Sequence, residues 1–181
     1  LRGLRGCCRF VAVPTTAGTG SEVSSAALLS DPVSGSKKAI VSHELLPDIA
    51  ILDPVITINV PKFTLVAAGI DALAHSVESY VSRFNNPFAD IQIEKSVAMI
   101  LQCLPKTISD PEDHEIRLEM MLAAMMAGWA QNLKVPGLGH ALAHQLGRFG
   151  INHGMACGGL LVPSVYSNMA DKEVKMRYRI L

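Results

Sequence analysis

The spacing of apolar and polar residues divides the chain into an early part with short strands and a later part with long helices. After residue 62, apolar residues recur every three or four positions, which is the period of an amphipathic helix. Prolines, among them Pro105 and Pro111, interrupt this pattern and predict helix ends. The third helical segment is apolar on nearly all sides and should be deeply buried. The predicted helices cover residues 63–82, 89–104, 115–132, 137 onward and 155–169, and the charged tail from 171 to 181 carries no predicted element.

Before residue 60 the apolar runs are shorter and are bounded by turn residues, as in strands. Residues 9–14 and 46–54 each predict a short strand, the first of them buried. Residues 23–30 and 38–42 flank the turn sequence DPVSGS and predict a β-hairpin. Strands first and helices after indicate α/β strands followed by an all-α helical domain.

Composition makes this chain more apolar than an ordinary soluble domain. Of its 181 residues, 49% are hydrophobic and 18% are charged, whereas charged residues usually make up about 25%. We therefore expect part of its surface to face other parts of a larger protein or the interfaces of a homo-oligomer. The 16 basic and 16 acidic residues cancel, so the charge does not point to nucleic acid or a membrane surface as a partner. Four cysteines are too few and too irregularly spaced for a disulfide framework, which favours a reduced, cytoplasmic setting.

Three of the six histidines lie in one short stretch, GLGHALAHQLGRFGINHG. His140 and His144 are four residues apart, so on a helix their side chains point the same way. His153 follows a glycine-containing turn that lets the chain double back. Asp71 and His75 repeat the four-residue spacing in the first long helix. These segments can present a carboxylate and several imidazoles to one point in space, which predicts a metal site.

The donor atoms limit the choice of metal. A carboxylate at Asp71 on an apolar helix needs a cationic partner, and no Lys or Arg lies within one helical turn of it. Three imidazoles and one carboxylate suit Zn²⁺ or Fe²⁺ better than Ca²⁺ or Mg²⁺. Spacing alone leaves open which of the three clustered histidines is not a ligand. Cys157 is interpreted as a packing residue, Glu78 as either a support for the neighbouring histidine or a solvated side chain, and His43 and His114 as surface residues.

The loop over residues 15–22, TTAGTGSE, is rich in glycine and hydroxyl groups. Its free N–H and O–H groups can meet a phosphate or a ribose. The other interpretation is an ordinary turn capped by its own Ser and Thr side chains. Local sequence favours the turn, because the loop has no GxGxxG pattern and no Walker lysine follows it.

Several segments together resemble the iron-containing (group III) alcohol dehydrogenase family: PTTAGTGSE, ILDP, GIDALAHSVESYVS, GLGHALAHQLG and the HG at 153–154. The similarity runs from about Phe10 to Asn168, and the D-x-x-x-H and G-x-x-H-x-x-x-H-x-x-G motifs are specific. The resemblance implies a dehydroquinate synthase-like architecture. In it, residues 1–60 are the last strands and the Thr-rich loop of a dinucleotide-binding domain, and residues 61–181 are a helical metal-binding domain.

The same resemblance implies roles for single residues. The metal ligands of the family fall on Asp71, His75, His140 and His153. His144 falls beside the nicotinamide, where it is the candidate for proton transfer. The loop threonines and a lysine placed by counting from the loop fall near the dinucleotide, NAD or NADP; they are Thr15, Thr16, Thr19 and Lys37.

The implied activity is the reversible oxidation of a primary alcohol to its aldehyde with NAD or NADP, with Fe²⁺ as the metal and Zn²⁺ as the alternative. Two other functions stay open. One is a Zn²⁺-dependent relative of glycerol dehydrogenase or dehydroquinate synthase. The other is a metal-binding fragment without complete catalytic machinery, because the chain has no G-G-G-S segment and resembles the middle of such an enzyme, without its Gly-rich N-terminal half and its C-terminal end.

The sequence departs from the family pattern near one ligand. Asn152 stands where the family usually has Pro before the last histidine, and the run from His140 to His153 is one residue short. Both changes bear on the direction of the His153 side chain, so His153 is the ligand that the sequence leaves least determined.

Overall fold

Helices make up most of the molecule. The computed structural model describes residues 8–33 and 37–181. The predicted order, with strands first and helices after, is confirmed. In the described part of the chain, α-helices begin at residue 62 and follow one another along the sequence: α1 (Lys62–Tyr80), α2 (Pro87–Ser109), α3 (His114–Ala130), α4 (Leu138–Leu146), α5 (His153–Asn168) and α6 (Lys172–Tyr178).

Two small sheets precede the helices. Strands β1 (Val11–Ala12) and β4 (Ile49–Ala50) pair in parallel. Strands β2 (Ala26–Ser30) and β3 (Lys37–Val41) form the predicted antiparallel hairpin. The turn at residues 34–36 lies outside the described residues. The hairpin prediction is therefore confirmed in its two strands.

The first strand is shorter and more exposed than the sequence pattern indicated. Val11 and Val13 leave 45% and 41% of their surface exposed, so the expectation of a buried strand is wrong for this chain. The β-branched run is typical of a strand covered on both faces, but within the described part of the chain β1 pairs with β4 alone, and solvent reaches its side chains.

Helix α1 is the centre of the helical part and packs against α2, α3, α4 and α5. Small residues allow these close approaches. A Cβ atom on Gly69 would come within 2.5 Å of the Leu104 side chain on α2. A Cβ atom on Gly154, at the start of α5, would come within 2.0 Å of the Ala67 carbonyl oxygen. Because of this central place, side chains of α1 can face three other helices at once.

The main core lies where α1, α2 and α3 meet. Met120 and Met121 of α3 and Ile100 and Cys103 of α2 are buried there. The predicted deep burial of α3 is confirmed, since its buried residues lie on several sides of the helix. Among the described residues, no helix combines the length and the apolar character that crossing a membrane requires.

Helix α2 continues past Pro105 to Ser109, so the predicted helix end at Pro105 is wrong. A proline inside a helix removes one backbone hydrogen bond, to the carbonyl four residues earlier. Pro105 and Leu101 both lie on the exposed side of α2, where water can satisfy that carbonyl. Pro163 lies inside α5 in the same way, with an exposed Gly159 one turn before it.

The charged tail forms a further helix, α6, that the apolar pattern did not indicate. Asp171 caps it, because its side chain accepts hydrogen bonds from the backbone N–H groups of Glu173 and Val174 at 2.8 and 3.3 Å. Glu173 lies in the first turn and Lys175 and Arg177 in the last, an order that the helix dipole favours.

Candidate metal centre

Three helices each present a pair of potential metal ligands four residues apart. Helix α1 carries Asp71 and His75, and α4 carries His140 and His144. The third pair is His153, the first residue of α5, and Cys157 one turn later. Residues four apart on a helix lie on the same face. The packing of α4 and α5 against α1 then brings the three faces together.

The donor atoms of Asp71, His140, His153 and Cys157 all lie within 4.8 Å of one another. Asp71 Oδ1 is 3.6 Å from Nε2 of His140 and 3.7 Å from Nε2 of His153. These distances are too long for good hydrogen bonds. They suit atoms that surround one shared cation.

His75 lies beside this cluster but outside the set of four. Its ring stacks on that of His140 with 4.2 Å between the centroids. Its Nδ1 atom is 3.9 Å from Asp71 Oδ2. The structure therefore brings three of the predicted ligands together, places the fourth against them, and adds Cys157.

Burial and missing partners show that the cluster fits a cation. Asp71 and His140 are only 3% and 4% exposed. Asp71 Oδ1, His140 Nε2 and His75 Nδ1 are buried atoms without a hydrogen-bond partner. Buried polar atoms of this kind are costly unless something satisfies them. A divalent cation would satisfy all three and would balance the charge of the buried carboxylates.

The electrostatics agree with that fit. Burial alone would raise the pKa of Asp71, but the neighbouring imidazoles, His140 first among them, lower that pKa to about 2. Burial lowers the pKa of His75 to about 3, so this imidazole is neutral and can offer a lone pair. Burial alone would also lower the pKa of His140, but the close approach of Asp71, Cys157 and Glu78 raises it. The cluster thus attracts positive charge, which a proton or a metal ion can supply.

Glu78 is buried beside His140 and is not a solvated side chain. Its Oε2 atom accepts hydrogen bonds from the backbone N–H groups of Gly137 and His140 at 2.7 and 3.2 Å. Nδ1 of His140 lies 3.2 Å from the same oxygen. Of the two interpretations of Glu78, support for a histidine is therefore the one that the structure favours, although the histidine is His140 rather than His75.

Asn152 explains how His153 stays in the cluster without the usual proline. The side chain of Asn152 caps α5, accepting a hydrogen bond from the Met155 N–H at 3.2 Å. Its backbone angles, φ −58° and ψ 135°, are also ones that proline adopts. The chain consequently enters α5 in the direction a proline would give it, and His153 reaches Asp71.

His144 lies next to the cluster and is not one of its four members. Its ring stacks on that of His153 with 4.7 Å between the centroids and an angle of 8° between the planes. It is half-buried, and its Nδ1 atom is buried.

The Thr-rich loop is fixed next to the same helix. A Cβ atom on Gly18 would come within 2.7 Å of the Ala68 side chain, one residue after the Ala67 that α5 touches. The loop and the start of α5 thus meet neighbouring residues of α1. Thr15 and Thr19 are exposed and Thr16 is half-buried. The hydroxyl of Thr19 accepts a hydrogen bond from the Ser21 N–H at 3.3 Å, as in an ordinary turn.

Lys37 begins strand β3, and its side chain lies outside the described residues. His43 and His114 are exposed, as expected. Cys157 was interpreted as a packing residue, and it does lie in a small buried core with Ala74, Ala143 and Ala156. The structure adds that its sulfur lies among the candidate donor atoms. The available signal was its position four residues after His153 on a helix, the same spacing that singled out Asp71 with His75.

Sequence comparisons match most of the chain to iron-containing alcohol dehydrogenases. Residues 65–181 match the sequence profile described as the Fe-containing alcohol dehydrogenase family, C-terminal. Residues 3–54 match the profile described as iron-containing alcohol dehydrogenase.

Individual relatives agree. The 1-propanol dehydrogenase of Citrobacter freundii is 40% identical over 169 residues, which is 93% of this chain and 46% of that protein. The NAD-dependent methanol dehydrogenase of Bacillus methanolicus is 36% identical over 156 residues, 86% of this chain and 41% of that protein. A crystal structure of sulfoacetaldehyde reductase from Bifidobacterium kashiwanohense in complex with NAD⁺ superposes with a TM-score of 0.83 at 34% identity, covering 88% of this chain and 43% of that one. The chain therefore spans somewhat less than half the length of these proteins.

Proposed function

The chain belongs to the iron-containing alcohol dehydrogenase family, and on that basis we propose that it supplies the metal centre of an enzyme that interconverts a primary alcohol and its aldehyde with NAD or NADP. The observation that carries the proposal is the meeting of the buried Asp71 and His140 with the half-buried His153, with donor atoms on the first two that have no partner among the described residues. The names of the relatives, which refer to 1-propanol and methanol, support a short alcohol as substrate.

The metal ligands in this proposal are Asp71, His75, His140 and His153. One carboxylate and three imidazoles suit Fe²⁺, with Zn²⁺ as the alternative. When bound, the ion supplies Lewis acidity toward the oxygen of the alcohol or aldehyde. The chain contributes a buried donor set on three packed helices, which keeps the donors in place and limits the access of water.

His144 is the proposed residue for moving the hydroxyl proton. It stacks on His153 at the edge of the cluster, and like His153 it is half-buried. Its Nε2 atom can take a proton from a substrate hydroxyl or return it. An imidazole suits this role because its unperturbed pKa lies near neutrality.

The Thr-rich loop is the proposed contact with the dinucleotide. Its hydroxyls at Thr15 and Thr19 face solvent next to the helix that carries Asp71. The loop and the start of α5 contact adjacent residues of α1, Ala68 and Ala67, which supports a site shared by the dinucleotide and the metal ligands. The assignment of Lys37 to the dinucleotide site rests only on its position, counted in residues from the Thr-rich loop. A homo-oligomer in a cytoplasmic setting completes the proposal, and rests on the exposed apolar side chains and the free cysteines.

Cys157 competes with His75 for the fourth position around the metal. Loading the chain with Co²⁺ distinguishes them, because a thiolate ligand adds a sulfur-to-cobalt absorption band that imidazole and carboxylate ligands do not. With His75 as the donor, no such band forms and His75→Ala weakens Co²⁺ binding. With Cys157 as the donor, the band forms, is lost in Cys157→Ala, and persists in the matched control Cys103→Ala.

The metal centre itself is tested by stoichiometry. The chain is purified anaerobically, depleted of metal, reloaded with Fe²⁺ or Zn²⁺, and analysed for metal content. We expect one tightly bound ion per chain in the wild type and in the control His114→Ala, and none in His140→Ala. A chain that is folded by circular dichroism and binds no ion contradicts the proposed centre.

Dinucleotide binding separates the proposed enzyme from a metal-binding fragment. Calorimetric titration of the metal-loaded chain with NADH and NADPH should show binding that Thr15→Val and Thr19→Val weaken. Metal binding without dinucleotide binding favours the fragment. Oxidation of glycerol in preference to 1-propanol, with Zn²⁺ and not Fe²⁺, favours the glycerol dehydrogenase-like alternative.

A further inference from the structure

Glu78 connects helix α1 to the start of helix α4, next to the proposed metal centre. It lies on α1, seven residues after Asp71, and is 2% exposed. Its three hydrogen-bond contacts all reach α4 or the residue before it, and all go to the single oxygen Oε2. Its other oxygen, Oε1, has no partner. Burying a carboxylate costs free energy unless it is hydrogen-bonded, so these contacts indicate a structural role for Glu78.

The first task is to cap α4. The N-cap residue of that helix is Gly137, which has no side chain to satisfy the free N–H groups of the first turn. Glu78 satisfies two of them, those of Gly137 and His140. Its negative charge also lies at the positive end of the helix dipole. A residue of α1 therefore performs the capping that a local Ser or Asp usually performs.

The second task is to orient the His140 ring. An ionised carboxylate only accepts hydrogen bonds, so the His140 nitrogen 3.2 Å from Oε2 must carry the proton. That nitrogen is Nδ1. In the neutral ring that a metal requires, Nε2 then has the lone pair, and it is the nitrogen that faces Asp71 Oδ1 at 3.6 Å. One carboxylate thus sets both the position of the helix and the nitrogen that is free to bind a metal.

Two glycines at the start of α4 make space for the Glu78 carboxylate, and a larger residue at either position would crowd it. A Cβ atom on Gly139 would lie 2.0 Å from Glu78 Oε1, and one on Gly137 would lie 3.3 Å from Oε2. Side chains at these two positions would push the carboxylate away from the start of α4. The position of the Glu78 carboxylate therefore depends on glycine at both of these positions.

We propose that Glu78 is a positioning residue of the metal centre, which fixes the start of α4 and holds His140 in the tautomer with the proton on Nδ1. The proposal rests on the proposed metal centre. Glu78 itself does not touch the metal or the substrate. Its effect on metal binding passes through His140.

Two variants separate the hydrogen bonds of Glu78 from its charge. Glu78→Gln keeps an oxygen that can accept from Gly137, His140 N–H and His140 Nδ1–H, whereas Glu78→Ala removes every acceptor. We expect Glu78→Ala to weaken Zn²⁺ binding about 10- to 100-fold in competition with a chelator. We expect Glu78→Gln to stay within about threefold of the wild type, since it retains neutral hydrogen bonds in place of charge-assisted ones. The matched control is Glu94→Gln, which alters a carboxylate that accepts from Tyr80 Oη at 2.6 Å, away from α4.

Nitrogen NMR of the His140 ring reads the proposal directly in the Zn²⁺-loaded chain. The wild type and Glu78→Gln should show a proton on Nδ1, and Glu78→Ala should lose its protection from exchange. A wild-type His140 with the proton on Nε2 overturns the proposal, whether or not any variant folds. So does a folded Glu78→Ala chain that binds Zn²⁺ as tightly as the wild type.

The same variants distinguish a failure of this proposal from a failure of the metal centre. If the wild type binds no divalent ion, the metal centre is wrong, and capping is read in the metal-free chain by hydrogen exchange. Protection of the Gly137 and His140 amides that is lost in Glu78→Ala and kept in Glu78→Gln supports the cap. Equal protection in all three chains overturns it.

Discussion

At the scale of single residues, the amide of Asn152 decides where helix α5 begins. Its oxygen accepts the Met155 N–H, and its φ of −58° lies in the range that proline requires. The next residue is His153, whose Nε2 lies 3.7 Å from Asp71 Oδ1. Capping and ligand placement are therefore coupled through one peptide unit.

We expect Asn152→Ala to destabilise the chain by about 1 kcal/mol, because alanine cannot satisfy a free N–H of the first turn. Asn152→Ser should stay close to the wild type, since serine is an equally good cap. Urea unfolding followed by circular dichroism measures both. Equal losses of unfolding free energy in the two variants would show that the side chain is not acting as a cap.

Single residues also show what the sequence could and could not predict about the centre. Asp71 and His140 were recognisable because their spacing to a second donor is local and because a carboxylate on an apolar helix needs a partner. Glu78 was ambiguous because its contacts with Gly137 and His140 lie 59 and 62 residues away in sequence. Cys157 was interpreted as packing because a buried cysteine behaves as a small apolar residue in most proteins. Only the meeting of three helices shows that its sulfur faces the other donors.

At the scale of elements, glycines set how closely the Thr-rich loop approaches the helices. Gly20 has a positive φ of 61°, which favours glycine. Its Cα atom lies against Gly128 of α3, where an added Cβ would come within 2.5 Å. The loop continues into a segment that Asn132 holds, because its Oδ1 accepts from the Ser25 N–H at 2.8 Å and its Nδ2 donates to the Val23 carbonyl at 2.7 Å. The loop is thus fixed at α3 as well as at α1.

We expect Gly128→Ala to destabilise the chain by about 1–3 kcal/mol, because the new methyl group collides with backbone atoms of the loop that cannot rotate away. The matched control is Gly159→Ala, at an exposed helix position with nothing within 4 Å of the new Cβ. That change should stabilise the chain by up to about 1 kcal/mol, since alanine favours helix over glycine. Urea unfolding compares the two, and a stabilised Gly128→Ala chain would contradict the close contact.

The elements themselves were largely predictable, and the exceptions have physical causes. The helical period is a strong signal over the long segments of α1 and α3. The predicted helix end at Pro105 is wrong because the Leu101 carbonyl, which has no N–H to accept from at Pro105, is exposed and can bond to water. Helix α6 has few apolar residues, and its signal lay instead in the cap at Asp171 and the order of its charges.

At the scale of the whole molecule, burial is uneven. The buried apolar clusters lie mainly between the helices, whereas the strands of the first 60 residues expose apolar side chains such as Leu29, Val41 and Ile49. The apolar composition predicted a surface of this kind. No local sequence pattern predicts what would pack against this apolar surface, because a packing partner would not be part of this chain. The division at residue 60 and the homo-oligomer stay predictions.

A partly buried ionic cluster links four segments of the helical part. Lys134, which is 1% exposed, donates to the Tyr80 carbonyl at 3.0 Å and pairs with Asp90. Arg177 of α6 pairs with the same carboxylate at 2.9 Å and donates to the Tyr80 carbonyl at 2.6 Å. Four segments therefore meet at Asp90: the end of α1, the start of α2, the connection before α4, and α6. Sequence could not predict this meeting, because Lys134 is 44 residues from Asp90 and Arg177 is 97 residues from Tyr80.

This cluster makes the free energy of unfolding depend on pH. Burial alone would raise the pKa of Asp90, but its bonds with Lys134 and Arg177 outweigh burial and lower it. A carboxyl group with a lowered folded-state pKa contributes stability that is present above the unfolded value of about 3.9 and is lost as the pH falls through the folded value. We expect Asp90→Asn to cost about 2–3 kcal/mol at pH 7, the size of a hydrogen-bonded charge. The difference from the wild type should shrink below about pH 4, where the wild-type carboxyl group also loses its charge.

Urea unfolding of both chains at pH 7, 5, 4 and 3 measures that difference, and the subtraction removes the other carboxyl groups. The double variant Asp90→Asn with Lys134→Met should cost less than the sum of the single variants, because both remove the same pair. A difference that stays constant from pH 7 to pH 3 would show that the charge of Asp90 does not hold the four segments together. In that case packing around Tyr80, not the ionic cluster, would have to join α6 to the rest of the helices.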